Sequence, residues 1–219
     1  MVTHEPLQGS LFGAAPVAVS PIAAGIERTE LDPCCWVDVC RNWLLGGDDL
    51  LVELLGCLPW QGGTRLMYGK LMDEPRLTAA SFDPFSPDLP PVIGELSRQL
   101  AGHYGRPFDA MFCNYYRSGA DSVAWHADRV GRHQVDPLVA IVSLGGPRRF
   151  RVRPMQPGRA RGERSLAWDL RSGDLLLMGG AMQHHWEHCV PKVRHAGPRM
   201  SVTLRSGRGA RRSASDPRD

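Results

Sequence analysis

Ser122-Val123-Ala124-Trp125-His126-Ala127-Asp128 is a short run of β-branched, small and aromatic residues that follows the turn pair Ser118-Gly119. Such a run reads as a strand, in which successive side chains alternate between faces. His126 and Asp128, two apart, then share one face. The same texture extends outward from this stretch, beginning at Phe108. Strands are expected near 110–116, 122–127, 138–144, 148–153, 165–170, 174–178, 185–190 and 199–205, separated by turn signals such as Gly145-Gly146-Pro147 and Ser172-Gly173-Asp174. Many short strands after a helix-containing N-terminal part imply a mostly β, α+β domain. Its form is a two-sheet jelly roll with flanking helices packed outside.

The chain has 219 residues, enough for one domain with a core of its own. Residues 1–30 mix Pro, Ala and Gly without a sustained period and read as an irregular leader. The domain is expected over 31–205, with the jelly roll over about 108–205, and 206–219 as a flexible basic tail. Asp48 and Asp49 are placed to cap a helix carrying Leu50, Leu51, Leu54, Leu55 and Leu58, which Pro59 stops. Pro90-Pro91 opens a second helix with Val92, Leu96 and Leu100 in line. There is no apolar run of bilayer length and no basic segment leading into a continuous apolar one, so the expected location is the cytoplasm and no membrane is expected as a partner. The six cysteines, at 34, 35, 40, 57, 113 and 189, form no CxxC pair and read as free thiols in a reducing compartment.

Charge is unevenly distributed. Residues 1–145 carry 10 Lys and Arg against 17 Asp and Glu, a balance of −7, while 146–219 carry 16 against 6, a balance of +10. The basic part includes Arg148, Arg149, Arg151 and Arg153, and arginine contacts phosphate through two parallel bonds. A polyanionic partner such as nucleic acid is implied, against the alternative of a solvated face.

Two imidazoles and one carboxylate on one side of an ion form the facial set of non-haem Fe(II) oxygenases, which leaves positions open for a cosubstrate and oxygen. His126 and Asp128 supply two of the three. For the third, His184, His185, His188 and His195 stand near each other in sequence. In a strand there, His184 and His188 share a face and His185 points away, so two candidates stay open. A zinc site of His126, His184 and His188 with an activated water is the competing reading. It leaves no task for Arg199 and Arg205, which stand six apart on one strand face and suit a small dicarboxylate. Asn114 and Tyr116 likewise share a face.

Taken in order, Asn114-Tyr115-Tyr116-Arg117-Ser118-Gly119, the stretch 122–128, Ser143-Leu144-Gly145, Gly173-Asp174-Leu175-Leu176-Leu177-Met178, His185-Trp186-Glu187-His188-Cys189-Val190-Pro191 and Pro198-Arg199-Met200-Ser201-Val202-Thr203-Leu204-Arg205 resemble the AlkB family of Fe(II)- and 2-oxoglutarate-dependent dioxygenases. Met67-Tyr68-Gly69-Lys70 and Pro75-Arg76-Leu77-Thr78-Ala79 resemble its lid, so the likeness runs from about Pro59 to Arg205. The resemblance implies a double-stranded β-helix, a form of jelly roll, with an N-terminal helical and lid region. It selects His188 as the third metal ligand beside His126 and Asp128, and puts Asn114, Tyr116, Arg199 and Arg205 on 2-oxoglutarate. It implies Fe(II), 2-oxoglutarate and O2 as the reacting set, an alkylated nucleic-acid base as substrate, and succinate, CO2 and an aldehyde as products. The expected role is DNA alkylation repair by a monomer, with RNA as the alternative polymer. Tyr68 falls where duplex-acting members carry a base-replacing finger, and Arg76 is a phosphate-contact candidate. Ser81-Phe82-Asp83 stands where relatives have an aromatic followed by Gly-Asp, which leaves Phe82 or Phe85 to stack on the base. Two rival functions are the same core hydroxylating a protein or small molecule, and a non-catalytic nucleic-acid-binding module.

Overall fold

The computed structural model describes residues 17–62, 64–67, 70–73, 75–128, 136–155 and 165–206. In chain order the elements are β1 (Ala18–Val19), β2 (Ile26–Asp32), β3 (Cys35–Cys40), β4 (Leu44–Leu45), α1 (Gly47–Cys57), β5 (Thr64–Met67), β6 (Lys70–Asp73), β7 (Leu77–Phe82), α2 (Pro91–Tyr104) and β8 (Phe108–Tyr116). The second half contributes β9 (Val123–His126), β10 (Val139–Gly145), β11 (Arg148–Pro154), β12 (Leu166–Leu170), β13 (Leu175–Gly180), α3 (Met182–His185), β14 (Trp186–Val190) and β15 (Arg199–Ser206). A seven-stranded antiparallel sheet, ordered β2-β3-β13-β10-β15-β8-β7, faces a four-stranded sheet ordered β12-β11-β14-β9. This is the expected jelly roll. Among the described residues, no helix is long and apolar enough to cross a membrane.

Alternation along the strands divides the interior in two. Met200, Val202 and Leu204 of β15, with Ala140, Val142 and Leu144 of β10, pack on the outer side of the large sheet against Leu50, Leu51 and Leu54 of α1 and Ile93, Leu96 and Leu100 of α2. Each such leucine removed from water contributes roughly 1.5–3 kcal/mol. Residues one step out of phase, Val139 and Ile141 of β10 and Leu176 and Met178 of β13, join Tyr116, Phe150 and Val152 between the sheets. In β15 the same phase carries Arg199, Ser201, Thr203 and Arg205, so a polar row faces the space between the sheets. That row builds the site.

The N-terminal part is more ordered into strands than its composition suggests. Within the stretch read as a leader, Ala18–Val19 pairs with Leu44–Leu45 and Ile26–Asp32 pairs with β3, so the sheet begins before residue 31. The reason is positional: β2 is an edge strand whose charged Glu27, Arg28 and Glu30 leave no apolar signature. The expected N-terminal helical region accordingly contributes three strands of the large sheet, β2, β3 and β7, beside its two long helices. The cap of α1 also differs from expectation. Gly46, at φ 71°, is the N-cap, and Asp48 and Asp49 lie in the first turn, where their charge meets the positive end of the helix dipole. Asp48 accepts the Ser172 hydroxyl at 2.7 Å.

Candidate active site

Strands β9 and β14 pair antiparallel with His126 directly opposite His188, so both imidazoles leave the small sheet on its inner face with ring centroids 4.3 Å apart. Between His188 and Val190 the partner advances from His126 to Val123, three residues against two. This bulge lets both Val123 and His126 point inward, which strict alternation forbids. Because β9 ends at His126, Asp128 reaches the same spot by another route than strand alternation. Its backbone N–H donates to Oε1 of the buried Gln183 at 2.8 Å, and Arg205 Nη2 donates to its Oδ1 at 2.7 Å. One donor atom each from His126, Asp128 and His188 then lies within 4.8 Å of the others.

The surroundings of the two rings suit cation binding. His126 Nδ1 is 2.9 Å from the carbonyl of Ala124. A carbonyl only accepts, so Nδ1 is the donor of this bond and Nε2 is the ring nitrogen left to meet an ion. His188 is buried and stacked on Phe150 at 5.3 Å between centroids. Burial pulls its pKa down to about 4 against the opposing pull of Asp128, so the ring is neutral at physiological pH. His184 and His185, by contrast, are in the exposed turn of α3 and not in a strand with His188. The strand-face pairing of His184 with His188 is therefore replaced, and His184 is outside the His126, Asp128 and His188 group.

A cavity of about 600 Å³ opens over these groups, and its wall includes Asn114, Tyr116, Ser201, Thr203, Arg199 and Arg205. Arg199 is 1% exposed, its Nε donates to Ser143 Oγ at 3.0 Å, and its guanidinium lies 5.2 Å from the Tyr116 ring centroid. Its Nη1 is buried with no hydrogen-bond partner among the described residues, and burial lowers its pKa. A buried cation with a free donor is costly unless an anion meets it, so the residues present fit a bound carboxylate. Arg205 Nε is also buried without a hydrogen-bond partner among the described residues. Asn114 donates to Ser201 Oγ at 3.4 Å and accepts Arg76 Nε at 2.7 Å. Arg76 thus lines the cavity with its Nε committed to Asn114. Phe82 is half-buried against the outer core and does not line the cavity, while Phe85 is 53% exposed. Tyr68 and Gly69 lie outside the described residues.

Sequence reasoning overlooked several groups here. Ser201 and Thr203 were legible, since they alternate with Met200, Val202 and Leu204 in phase with Arg199. Gln183 carried no local signal. The basic run also resolves into unequal parts. Arg148 is buried and donates to the carbonyls of Ser118, Asp121 and Pro191, whereas Arg149, Arg151 and Arg153 lie on the opposite face of β11. Arg149 pairs with Asp169, and Arg153 pairs with Glu187 and covers the Trp125 ring at 4.1 Å. Part of the basic balance is therefore spent within the fold.

The family of the 2OG-Fe(II) oxygenase superfamily matches residues 55–210. The chain belongs to this superfamily. It is 31% identical over 218 residues to the human alpha-ketoglutarate-dependent dioxygenase alkB homolog 3, covering 92% of this chain and 73% of that protein. It is 30% identical over 182 residues to the DNA oxidative demethylase ALKBH2 of Arabidopsis thaliana, covering 68% and 58%. Among solved structures, OsALKBH1 superposes with a TM-score of 0.54 at 16% identity over 83% of this chain and all of that one. A prolyl hydroxylase of Trichoplax adhaerens gives 0.55 at 12% identity over 78% and 82%. The two structures share the jelly-roll fold. As a member of the superfamily, the chain is a dioxygenase that uses Fe(II), 2-oxoglutarate and O2.

The support under Asp128 makes one expectation concrete. Gln183→Ala removes the acceptor that holds the Asp128 backbone and should weaken iron binding by about 10–100-fold, as for other groups that orient ligands. Anaerobic iron titration of the variant checks this; an unchanged affinity would show that Asp128 is held by Arg205 alone.

Proposed function

We propose that this dioxygenase removes alkyl groups from nucleic-acid bases, with alkylated DNA as the substrate and a monomer as the acting unit. In this reading His126, Asp128 and His188 hold the iron, while Asn114, Tyr116, Arg199 and Arg205 hold 2-oxoglutarate. The observation that carries it is the cavity, with three clustered donors on one side and the unpaired Nη1 of Arg199 in the facing wall. The names of the relatives support the substrate, since two that match over most of this chain are named an alkB-homologue dioxygenase and a DNA oxidative demethylase.

With iron and the oxo acid bound, O2 would be the oxidant: one of its oxygen atoms would enter succinate as 2-oxoglutarate loses CO2, and the other would hydroxylate an N-alkyl carbon, which would then leave as an aldehyde and free the base. This chain's residues orient and shield. Val123, Ile141, Phe150 and Val190 give the cavity apolar walls that keep bulk water from the donors. Arg205 fixes Asp128 through a charge-assisted bond, so the carboxylate presents one orientation to the ion. Trp125 lines the cavity with the Arg153 guanidinium over its ring, and so offers an aromatic contact to a strand entering the site.

The test is product analysis. Iron-loaded enzyme with 2-oxoglutarate should convert N-methylated adenine or cytosine in oligonucleotides to the plain base, releasing formaldehyde and succinate in equal amounts. Succinate release with no repair of any methylated base overturns the dealkylation reading and favours a protein or small-molecule substrate. Tyr68, in the stretch that resembles the family's lid, is the proposed finger that fills the vacated stack. Its change to Ala should therefore lower repair in duplexes by about tenfold and leave single strands nearly unaffected, since a single strand presents its base without an opened partner. Equal losses on both refute the finger role.

A further inference from the structure

Cys34 and Cys35 sit at the turn from β2 into β3, and His185 ends α3, some 150 residues later; the fold brings all three together at the end of the jelly roll. None of them lines the oxygenase cavity. Adjacent strand residues point to opposite faces, but Cys34 precedes β3 and lies in the turn, which frees its sulfur to reach the same side as that of Cys35. The two Sγ atoms are 3.8 Å apart, and His185 Nδ1 is 3.5 Å from the first and 3.9 Å from the second.

These lengths decide between readings. A disulfide needs about 2.05 Å between sulfurs, so the pair is not bonded. A triangle with the observed sides has its centre about 2.2 Å from each corner, against about 2.3 Å for a zinc–sulfur and 2.0–2.1 Å for a zinc–nitrogen bond. An ion of that size, in the plane of the three atoms or slightly above it, bonds all of them without moving any. A carboxylate stands beside them: Asp32 Oδ1 is 3.2 Å from Cys34 Sγ, while Asp32 Oδ2 accepts Trp186 Nε1 at 2.7 Å and is held in place by it. Two thiols and an imidazole nitrogen make a soft donor set, unlike the two nitrogens and one oxygen at His126, Asp128 and His188.

We propose that Cys34, Cys35 and His185 form a second metal site, selective for a thiolate-preferring cation of the zinc class, with the fourth position left to solvent. The two sites divide metals by softness, the thiols taking zinc and the facial set taking iron. Occupancy ties α3 to the β2–β3 turn, a junction already marked by the Ala181 N–H donating to the Cys34 carbonyl at 2.8 Å. The same short helix carries Gln183, which holds Asp128, so the zinc site braces the iron site from behind.

Cobalt(II) titration of the full chain, stripped of metal and kept reduced, separates the two sites by spectroscopy. Wild type should develop thiolate-to-cobalt charge-transfer absorption in the near ultraviolet, which the iron site cannot produce because it has no sulfur. Added zinc should bleach it. His188→Ala should keep the band, whereas the Cys34→Ser/Cys35→Ser double variant should lose it and retain one zinc fewer per chain than wild type. Cys35 is buried, so His185→Ala, at an exposed position, gives the same reading if the double variant folds poorly: its cobalt affinity at the thiols should fall at least about tenfold. No thiolate band in wild type, or equal zinc content in wild type and a folded double variant, overturns the proposal and leaves the three residues as a hydrogen-bonded cluster.

Discussion

His188→Ala is expected to lower iron-dependent succinate release by about a thousandfold or more, a loss of about 4 kcal/mol in transition-state stabilisation. In the proposed site the imidazole is one of only three protein ligands, and its ring is neutral because it is buried, so no proton has to leave before it binds an ion. Removing it also leaves a hole against Phe150, which costs stability for a reason unrelated to iron. Asp128→Asn separates the two effects. It keeps the shape beside Arg205 while withdrawing the anionic donor, and should be as inactive as His188→Ala but better folded, as read by circular dichroism. Turnover near the wild-type rate in either variant would remove that residue from the metal site.

Arg199→Met should raise the apparent KM for 2-oxoglutarate by at least about a hundredfold, since a bidentate guanidinium–carboxylate contact loses two charge-assisted bonds of roughly 1.5–3 kcal/mol each. The stability of the cosubstrate-free protein should move the other way. Arg199 is a buried cation with an unsatisfied Nη1, and an unbranched apolar side chain of similar length ends that desolvation cost while still reaching Ser143 and Tyr116. A higher Tm without 2-oxoglutarate, together with the lost saturation, would mark Arg199 as a group kept for binding at the expense of the fold. A folded variant with a lower Tm and an unchanged KM for 2-oxoglutarate contradicts the assignment. Arg205 differs, because its Nη2 already pairs with Asp128; its replacement should affect iron affinity as well as KM.

The fold from Phe108 onward was legible because its strands are short, apolar in alternation and set off by Gly and Pro turns. The eight strands read there correspond to β8–β15 within a few residues. The edge strand β2 was hidden, since charged residues on an edge look like loop. His126, Asp128 and His188 were nameable from spacing and resemblance, but the reason first given for grouping His126 with Asp128 was incomplete. Alternation stops at the end of β9, and the backbone bond to Gln183, 55 residues on, completes the placement.

The sequence alone determined which residues face which way along each strand, because alternation is a local property of the extended chain. That was enough to put Arg199, Ser201, Thr203 and Arg205 on one face and Met200, Val202 and Leu204 on the other. Only the tertiary structure decided which of those faces meet. The bulge opposite His188, the pairing of Arg205 with Asp128, the spending of Arg148 on backbone carbonyls, and the meeting of Cys34 and Cys35 with His185 all depend on strand order and register. Such contacts join residues tens to more than a hundred positions apart, and their geometry comes from how the sheets pack, which no local pattern encodes.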